Sequence, residues 1–229
     1  MILLADSIGK SHGDRRILTS ARLTAAGGEV VGLLGRMGEG KSTLLKICAG
    51  LIRPDSGWVE LDGKRYPSAH RSRLAANGMF YLAEHANLVP SLTVAKHFDL
   101  IESRFGPGNR GNAIDLLSIE RVLDSTVASL SSGETKHVEL AIALVRRPRC
   151  FLGDESFRGL DPITCDSLGT ALRELARSGC AVVITGHEVS TLQPYIDSVT
   201  WLTSSTTYQL GTAAEAWNND RFQREYLGN

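Results

Sequence analysis

Short apolar runs alternate with stretches of helical periodicity along most of this chain. The runs are rich in aliphatic and β-branched residues, which predicts strands buried on both faces. They occupy residues 28–34, 79–82, 150–153 and 181–185. Helical spacing is found at residues 41–49, 134–147 and 162–177. Strands that alternate with helices predict an α/β fold with a mainly parallel central sheet covered on both faces.

Two regions depart from this alternation. Turn signals at 54–57 and 62–63 bracket the strand-like segment 58–61, which predicts a small antiparallel β subdomain. Between Glu84 and Leu130 the pattern becomes helical, at 92–104 and 113–123, with the breaker-rich segment FGPGNRGN between the two pieces. We therefore predict a single domain, 1–229, with a core of 1–84 and 148–229 and a helical insert at about 85–147.

The composition narrows the class of protein. The chain has 229 residues, 42% of them hydrophobic, and 25 basic side chains balance 25 acidic ones. A net charge of zero without a long basic run argues against a nucleic-acid partner. No apolar run approaches the ~18 residues of a spanning helix, and no signal peptide is evident. We expect a cytoplasmic protein that reaches a membrane only through a partner.

The chain has four cysteines, at Cys48, Cys150, Cys165 and Cys180. Their positions show no C-x-x-C spacing, which favours reduced cysteines that serve in packing.

The turn after the first apolar run fits a phosphate-binding pattern. Residues 35–42, GRMGEGKS, match G-x-x-x-x-G-K-[ST] between a predicted strand and a predicted helix. Glycines let backbone N–H groups approach phosphate oxygens, the lysine binds the β- and γ-phosphates, and the serine hydroxyl binds Mg²⁺. The alternative is a glycine-rich turn that only packs. The candidate ligands of ATP and Mg²⁺ are Gly35, Gly38, Gly40, Lys41, Ser42 and Thr43.

An acidic pair follows the predicted strand at 150–153. Parallel strands present their C-terminal ends to one crevice, so Asp154 can hold Mg²⁺ there. Glu155 can then act as the general base that activates the water attacking the γ-phosphate. An isolated Asp-Glu pair is more often a solvated turn, but its position at the end of a buried strand in a chain with a phosphate loop favours the catalytic interpretation.

Further motifs occur in a fixed order along the chain. LSSGE spans 130–134, GLDP spans 159–162, and His187 follows the last predicted strand. With the glycine turn and the acidic pair, they make the chain resemble an ABC-type ATPase, the nucleotide-binding subunit of an ATP-binding cassette transporter. The resemblance implies that two ATPase subunits, identical or different, sandwich ATP. Ser131 and the Gly133 backbone would touch the γ-phosphate bound by the other subunit, Asp161 would lie at the seam, and His187 would contact the γ-phosphate.

Several residues depart from the pattern of that family. His12 stands where an aromatic residue stacks on adenine, so we expect weaker or less base-selective binding. Glu84 replaces a glutamine; its carboxylate could still meet Mg²⁺ but adds negative charge near the polyphosphate. Ser132 replaces a glycine. The ending Tyr226-Leu-Gly228 resembles ATPases of branched-chain amino acid import and lipopolysaccharide export, although a plain amphipathic terminal helix explains it equally well.

The resemblance also implies an integral membrane permease as partner. The candidate docking surface is residues 84–94, with Leu88, Val89 and Leu92 as apolar contacts, unless these side chains belong to the core of the insert. The predicted function is ATP hydrolysis that powers an ABC transporter through ATP-driven dimer closure. The alternative is a soluble, nucleotide-gated assembly or regulatory module with low turnover, which the departures at His12, Glu84 and Ser132 would suit.

Overall fold

The computed structural model describes residues 2–66, 70–84, 88–186 and 189–228, and their strands form two sheets. The strands are β1 (Leu3–His12), β2 (Arg15–Ala25), β3 (Val30–Leu34), β4 (Ser56–Leu61), β5 (Lys64–Tyr66), β6 (Met79–Leu82), β7 (Cys150–Gly153), β8 (Ala181–Thr185), β9 (Ser198–Thr203) and β10 (Thr206–Thr212). The helices are α1 (Lys41–Cys48), α2 (Arg71–Ala76), α3 (Val94–Phe105), α4 (Arg110–Leu117), α5 (Ser132–Arg146), α6 (Pro162–Arg177), α7 (Val189–Leu192), α8 (Ala213–Trp217) and α9 (Asp220–Phe222).

The larger sheet has the strand order β10-β9-β3-β8-β7-β6. Every neighbouring pair is parallel except β9 and β10, which form an antiparallel hairpin at one edge. The predicted mainly parallel sheet is therefore confirmed. The first predicted strand begins two residues late, at Val30, because Gly28 adopts φ 86° in the turn that precedes it.

The smaller sheet is antiparallel, in the order β2-β1-β4-β5, and confirms the predicted β subdomain. The turn signals in the sequence predict β4, whereas β1, β2 and β5 were not predicted. Bulges shift the pairing of β1 at three points, so its apolar residues do not alternate regularly. The two sheets are joined where β2 meets β10: the Thr19 N–H donates to the Ser205 carbonyl at 2.6 Å.

Helices α3 and α4 follow β6 in the region where the sequence predicts helical pieces at 92–104 and 113–123, and the second of these predictions needs correction. The second predicted piece, 113–123, is instead α4 at 110–117, followed by a separate 3-10 turn at 120–122. The Asn109 side chain caps the start of α4 by accepting from the Asn112 N–H, and Ser118 ends it in a left-handed conformation, φ 50°. The helix therefore begins inside the segment interpreted as a breaker.

Two hydrophobic clusters pack on opposite faces of the larger sheet. Alternate residues of β3 divide between them: Val30 and Leu34 join the cluster that contains the apolar residues of α3, α4 and α5, whereas Val31 and Leu33 join the cluster with the smaller sheet. All five β3 residues are buried. Because a fully buried Val or Leu contributes about 1.5–3 kcal/mol, β3 is firmly held at the centre of the molecule. No helix among the described residues is long and apolar enough to cross a bilayer.

Candidate active site

The loop between β3 and α1 forms a concave backbone surface. Gly38 and Gly40 have φ values of 81° and 106°, a left-handed conformation that glycine adopts without strain. A Cβ on Gly35 would lie 2.4 Å from the Leu202 carbonyl oxygen, so the strand end can only pass there as glycine. No side chain caps the N-terminus of α1. Its first N–H groups therefore remain available to an anion, together with the positive end of the helix dipole.

Lys41 places a buried ammonium beneath this loop. Its side chain is almost fully buried, and Nζ donates to the carbonyl oxygens of Gly35 at 2.7 Å and Arg36 at 3.1 Å. Burial lowers the pKa of Lys41, an effect that the carboxylates of Glu155 and Asp154 partly oppose. A phosphate group beside Nζ would favour the charged form, so the position suits an anionic ligand.

Asp154, at the end of β7, is the centre of a hydrogen-bond network. It is 2% exposed. Its Oδ1 accepts from Ser42 Oγ at 2.8 Å and Thr185 Oγ1 at 3.1 Å, and its Oδ2 accepts from Tyr81 Oη at 2.9 Å. Burial, reinforced by Asp154, raises the pKa of Tyr81 well above its usual range, so Tyr81 remains a donor. The network joins the phosphate loop to the acidic pair.

Thr185 and Tyr81 were not among the residues singled out from the sequence. The phosphate loop follows β3 and the acidic pair follows β7, but β8 lies between these strands and brings Thr185 to the site. Tyr81 comes from β6, on the other side of β7. A hydroxyl at the C-terminal end of an otherwise apolar strand was the available signal for Thr185.

Glu155 is held in an uncommon backbone conformation. Its φ is 50°, in the left-handed region, and its N–H donates to Thr185 Oγ1 at 2.9 Å. Such a conformation costs about 1–3 kcal/mol in a non-glycine residue and is found preferentially at functional sites. The half-buried side chain lines the same cavity as Lys41 and Ser42. The geometry therefore brings a carboxylate to the phosphate loop.

A cavity of about 280 Å³ lies over the phosphate loop. It gathers several predicted residues, namely Gly38, Gly40, Lys41, Ser42, Thr43, Glu84 and Glu155. Arg15, Ile17, Met37 and Arg158 also line it and were not predicted. His12, exposed at the end of β1, is not among the lining residues; its cross-strand neighbour Arg15 is. His187 lies outside the described residues.

Glu84 and Arg158 form an ion pair at this cavity. Glu84 follows β6, whereas Arg158 lies between β7 and α6, and Arg158 Nη1 donates to Glu84 Oε1. The excess negative charge expected at Glu84 is therefore accompanied by a cation. Among the described residues, no group of three or more His, Cys, Asp and Glu side chains gathers as a metal site.

Ser131 and Gly133 are not part of this cavity. Ser131 caps α5, and its exposed hydroxyl accepts from the Glu134 N–H at 3.2 Å and donates to Glu134 Oε2 at 2.7 Å. The Ser131 N–H donates to the same carboxylate oxygen at 2.8 Å, completing a capping box. Asp161 caps α6 in a similar way, accepting from the Ile163 and Thr164 N–H groups at 3.0 Å each.

Comparison with known proteins identifies relatives over nearly the whole chain. The family model described as ABC transporter matches residues 18–158. The lipopolysaccharide export system ATP-binding protein LptB of Haemophilus influenzae is 31% identical, covering 99% of this chain and 97% of LptB. LptB of Escherichia coli K12 is 29% identical with the same coverage. The ribose import ATP-binding protein RbsA of Cereibacter sphaeroides is 32% identical, over 87% of this chain and 42% of RbsA.

Solved structures share the fold. An ATP-binding subunit of an ABC transporter aligns with a TM-score of 0.85 and 24% identity, covering 100% of this chain and 97% of that chain. An ATP-binding cassette in its ADP conformation aligns with a TM-score of 0.85 and 21% identity, covering 100% of this chain and 99% of that chain. With the family match and the similarity to LptB, they show that the chain belongs to the ABC transporter family, as an ATP-binding subunit whose ATP hydrolysis powers transport.

Proposed function

We propose that two ATP-binding subunits clasp ATP and Mg²⁺ between the phosphate loop of one and the Ser131–Gly133 segment of the other. The main observation behind this proposal is that the cavity at the phosphate loop and the Ser131 segment are separate in the chain's structure. Lys41, Ser42 and Glu155 line one cavity, whereas Ser131 heads α5 outside it, with an exposed side chain. ABC ATP-binding subunits dimerise and work with membrane permeases, so a second subunit is the natural source of the missing half.

The predicted nucleotide-binding residues have distinct proposed roles. The N–H groups of the loop containing Gly35, Gly38 and Gly40 bind the phosphates, with Thr43 beside them in the first turn of α1. Lys41 binds the β- and γ-phosphates. Glu155 accepts a proton from the water that attacks the γ-phosphate. His187 contacts the γ-phosphate, and His12 contributes to the binding of the base.

Ser42 and Asp154 would hold Mg²⁺, with Glu84 as a further carboxylate nearby. Their oxygen donors suit this hard cation, which proteins usually bind through one or two carboxylates plus phosphate oxygens. The ion would neutralise part of the phosphate charge. In the structure Ser42 Oγ donates to Asp154 at 2.8 Å, so its proton must turn away before the oxygen can face a cation.

Exposed apolar side chains support the proposed dimer. Met37 and Ile163 have the largest exposed fractions among the large hydrophobic residues of the described chain, at 78% and 83%. Met37 lies on the phosphate loop, and Ile163 lies two residues after Asp161. In the proposed arrangement the loop of one subunit faces the Asp161 segment of the other, so both side chains would be covered. Burying each would contribute about 1.5–3 kcal/mol.

A second cavity supports a membrane partner. It has a volume of about 430 Å³, and Leu88, Leu51, Leu100 and Phe105 are among the side chains that line it. The last three are exposed by 36–47%, and Val89 by 48%. We propose that this groove receives a cytoplasmic segment of an integral membrane permease, which would hold the chain at the cytoplasmic face of the membrane. Leu88 also packs against the core cluster, so it contributes both to the groove and to the core.

Most of the predicted docking segment lies on the same proposed insert as Ser131, whereas Leu51 of the groove belongs to the proposed core. Residues 85–87 of the predicted docking segment, 84–94, are outside the described residues. Leu92 is partly buried and is not among the residues that line the groove. We propose that residues 85–147 act as an insert that carries dimer closure to the permease. LptB serves lipopolysaccharide export and RbsA ribose import, so we attribute the choice of cargo to the partner.

The proposal is tested with a trapped complex. Glu155→Gln protein is incubated with ATP and Mg²⁺, and its mass is measured by light scattering after size exclusion, alone and with a copurified permease. A mass of two ATPase subunits that appears with ATP and not with ADP is expected. A chain that stays monomeric under all these conditions would contradict the shared site. Negligible wild-type turnover with only soluble partners would instead favour the regulatory module.

A further inference from the structure

We propose that Arg158 is a positioning residue that neutralises Glu84 and thereby sets the preference of the site for ATP over ADP. The inference rests on the proposed function, because it assigns a role within the same nucleotide cavity. It concerns a cation that neither the glycine turn nor the acidic pair indicates.

The pair spans two strand ends of the larger sheet. Glu84 and Arg158 are 74 positions apart and come from the segments that follow β6 and β7. The Arg158 N–H donates to the Glu155 carbonyl at 3.1 Å, which places Arg158 one turn beyond the proposed general base. Both side chains line the cavity that contains Lys41 and Ser42. The pair therefore lies beside the proposed path of the phosphates.

Exposure separates this role from a purely structural one. The side chains of Arg158 and Glu84 are 53% and 37% exposed. Ion pairs this exposed contribute little to folding because water screens them and side-chain entropy opposes them. Their electrostatic effect on a bound polyphosphate would be larger, because the ligand carries several negative charges and excludes water from the cavity. Removing Arg158 would leave a carboxylate facing those charges.

The chemistry of arginine allows the pair to persist in the bound state. A guanidinium carries five N–H donors in a fixed plane and stays charged at any ordinary pH, so it can keep its hydrogen bond to the Glu84 carboxylate when a polyphosphate is bound. Lys41 and Arg15 are the other cations that line the cavity among the described residues. Lys41 lies beneath the loop, whereas Arg158 lies beside Glu84 and Glu155. Arg158 therefore lines the cavity three residues after the proposed general base, near the expected position of a γ-phosphate.

A double-mutant cycle tests this role. Equilibrium affinities for a fluorescent non-hydrolysable ATP analogue and for fluorescent ADP are measured with Mg²⁺ in wild type, Glu84→Gln, Arg158→Met and the double variant. Arg158→Met should weaken ATP-analogue binding about tenfold and ADP binding less. Adding Glu84→Gln should restore most of the loss, because the uncompensated charge is gone. Arg158→Lys, which keeps the charge, should bind better than Arg158→Met.

Two results would overturn the inference. The first is a lack of rescue, in which the double variant binds the ATP analogue no better than Arg158→Met. The second is an equal loss of ATP and ADP affinity in Arg158→Met, which would indicate a general structural effect. Arg177→Met, which removes a 76% exposed arginine from α6, serves as the matched control and should bind both nucleotides like wild type. If wild type itself bound no nucleotide, the proposed function would fail. If wild type bound nucleotide normally and the double variant showed no rescue, only the role of Arg158 would be removed.

Discussion

Lys136 on α5 donates a 2.8 Å hydrogen bond to the carbonyl oxygen of Ala83, the residue before Glu84. Its Nζ also lies 3.2 Å from Glu139 Oε2, and both side chains are nearly fully buried. The helix headed by Ser131 is thus tied to the segment that lines the nucleotide cavity. A shift of Glu84 toward a bound nucleotide would therefore act on α5 through this contact.

We expect Lys136→Met to lower the free energy of unfolding by about 3 kcal/mol, because it removes a buried ammonium that lies 3.2 Å from the buried Glu139 carboxylate. Chemical denaturation monitored by circular dichroism measures the change. The control is Lys96→Met, which removes a 57% exposed lysine lying 3.9 Å from Asp99 and should cost less than about 0.5 kcal/mol. Equal losses in the two variants would show that the Lys136 contact is not energetically special.

Lys41→Ala should abolish measurable nucleotide affinity, because it removes the only lysine that lines the cavity in the described part of the chain. Equilibrium titration with a fluorescent ATP analogue measures the loss. Lys46→Ala, on the last turn of the same helix, keeps the loop intact and should bind normally. Wild-type affinity in Lys41→Ala would contradict its assignment as a phosphate ligand.

Glu155→Gln should lower ATP hydrolysis at least ~100-fold while ATP binding survives, because an amide cannot accept the proton of the attacking water. Phosphate release and equilibrium binding are measured in parallel. Unchanged turnover would remove Glu155 from the proposed role of general base. A loss of affinity as large as the loss of rate would instead assign the side chain to binding.

Thr185→Val should slow hydrolysis more than it weakens ATP binding. The Thr185 hydroxyl accepts from the Glu155 N–H and donates to Asp154, so an isosteric apolar side chain removes both hydrogen bonds at a cost of about 1–3 kcal/mol. Steady-state kinetics separates kcat from KM. Thr185→Ser keeps the hydroxyl and should retain most of the rate; a rate as low as that of Thr185→Val would disprove the hydrogen-bond explanation.

The capping box of α5 should respond to pH. The hydrogen bond from the Ser131 hydroxyl and, to a smaller extent, the one from the Ser131 N–H lower the pKa of Glu134 below its usual range. A depressed carboxyl pKa stabilises the folded chain above the unfolded pKa of about 4.3, and this contribution is lost as the pH falls through the folded pKa. Ser131→Ala should raise the Glu134 pKa in an NMR titration.

A second capping box provides the control for that titration. Glu215 receives the N–H and hydroxyl hydrogen bonds of Thr212 at the start of α8, and these also lower its pKa. The Glu215 pKa should not change in Ser131→Ala. An unchanged Glu134 pKa, or an equal rise in both glutamates, would contradict a local effect of the Ser131 hydroxyl.

Local patterns predicted the phosphate loop, the acidic pair and the buried strands. These features depend on neighbouring residues: glycines within one turn, or carboxylates at the end of one apolar run. The capping box at Ser131 also has a local signature, S-x-x-E, although it was not among the features predicted from the sequence. β1 escaped because its bulges break the two-residue period.

Contacts between distant segments could not be derived in this way. Thr185 reaches Asp154 because β8 lies between β3 and β7, an order that the succession of strands along the chain does not state. Arg158 meets Glu84 across the same sheet edge, so the charge that made Glu84 look unfavourable is compensated from 74 positions away. Such compensation becomes visible only when the sheet order is known.

β3, shared by both hydrophobic clusters, has a mechanical consequence for the phosphate loop. Its amide hydrogens should be among the slowest to exchange with deuterium, because both faces of the strand are packed and both of its edges pair with neighbouring strands. The phosphate loop thus follows directly after the strand that should be among the last to unfold. A packing defect in either hydrophobic cluster would therefore disturb the phosphate loop through this shared strand.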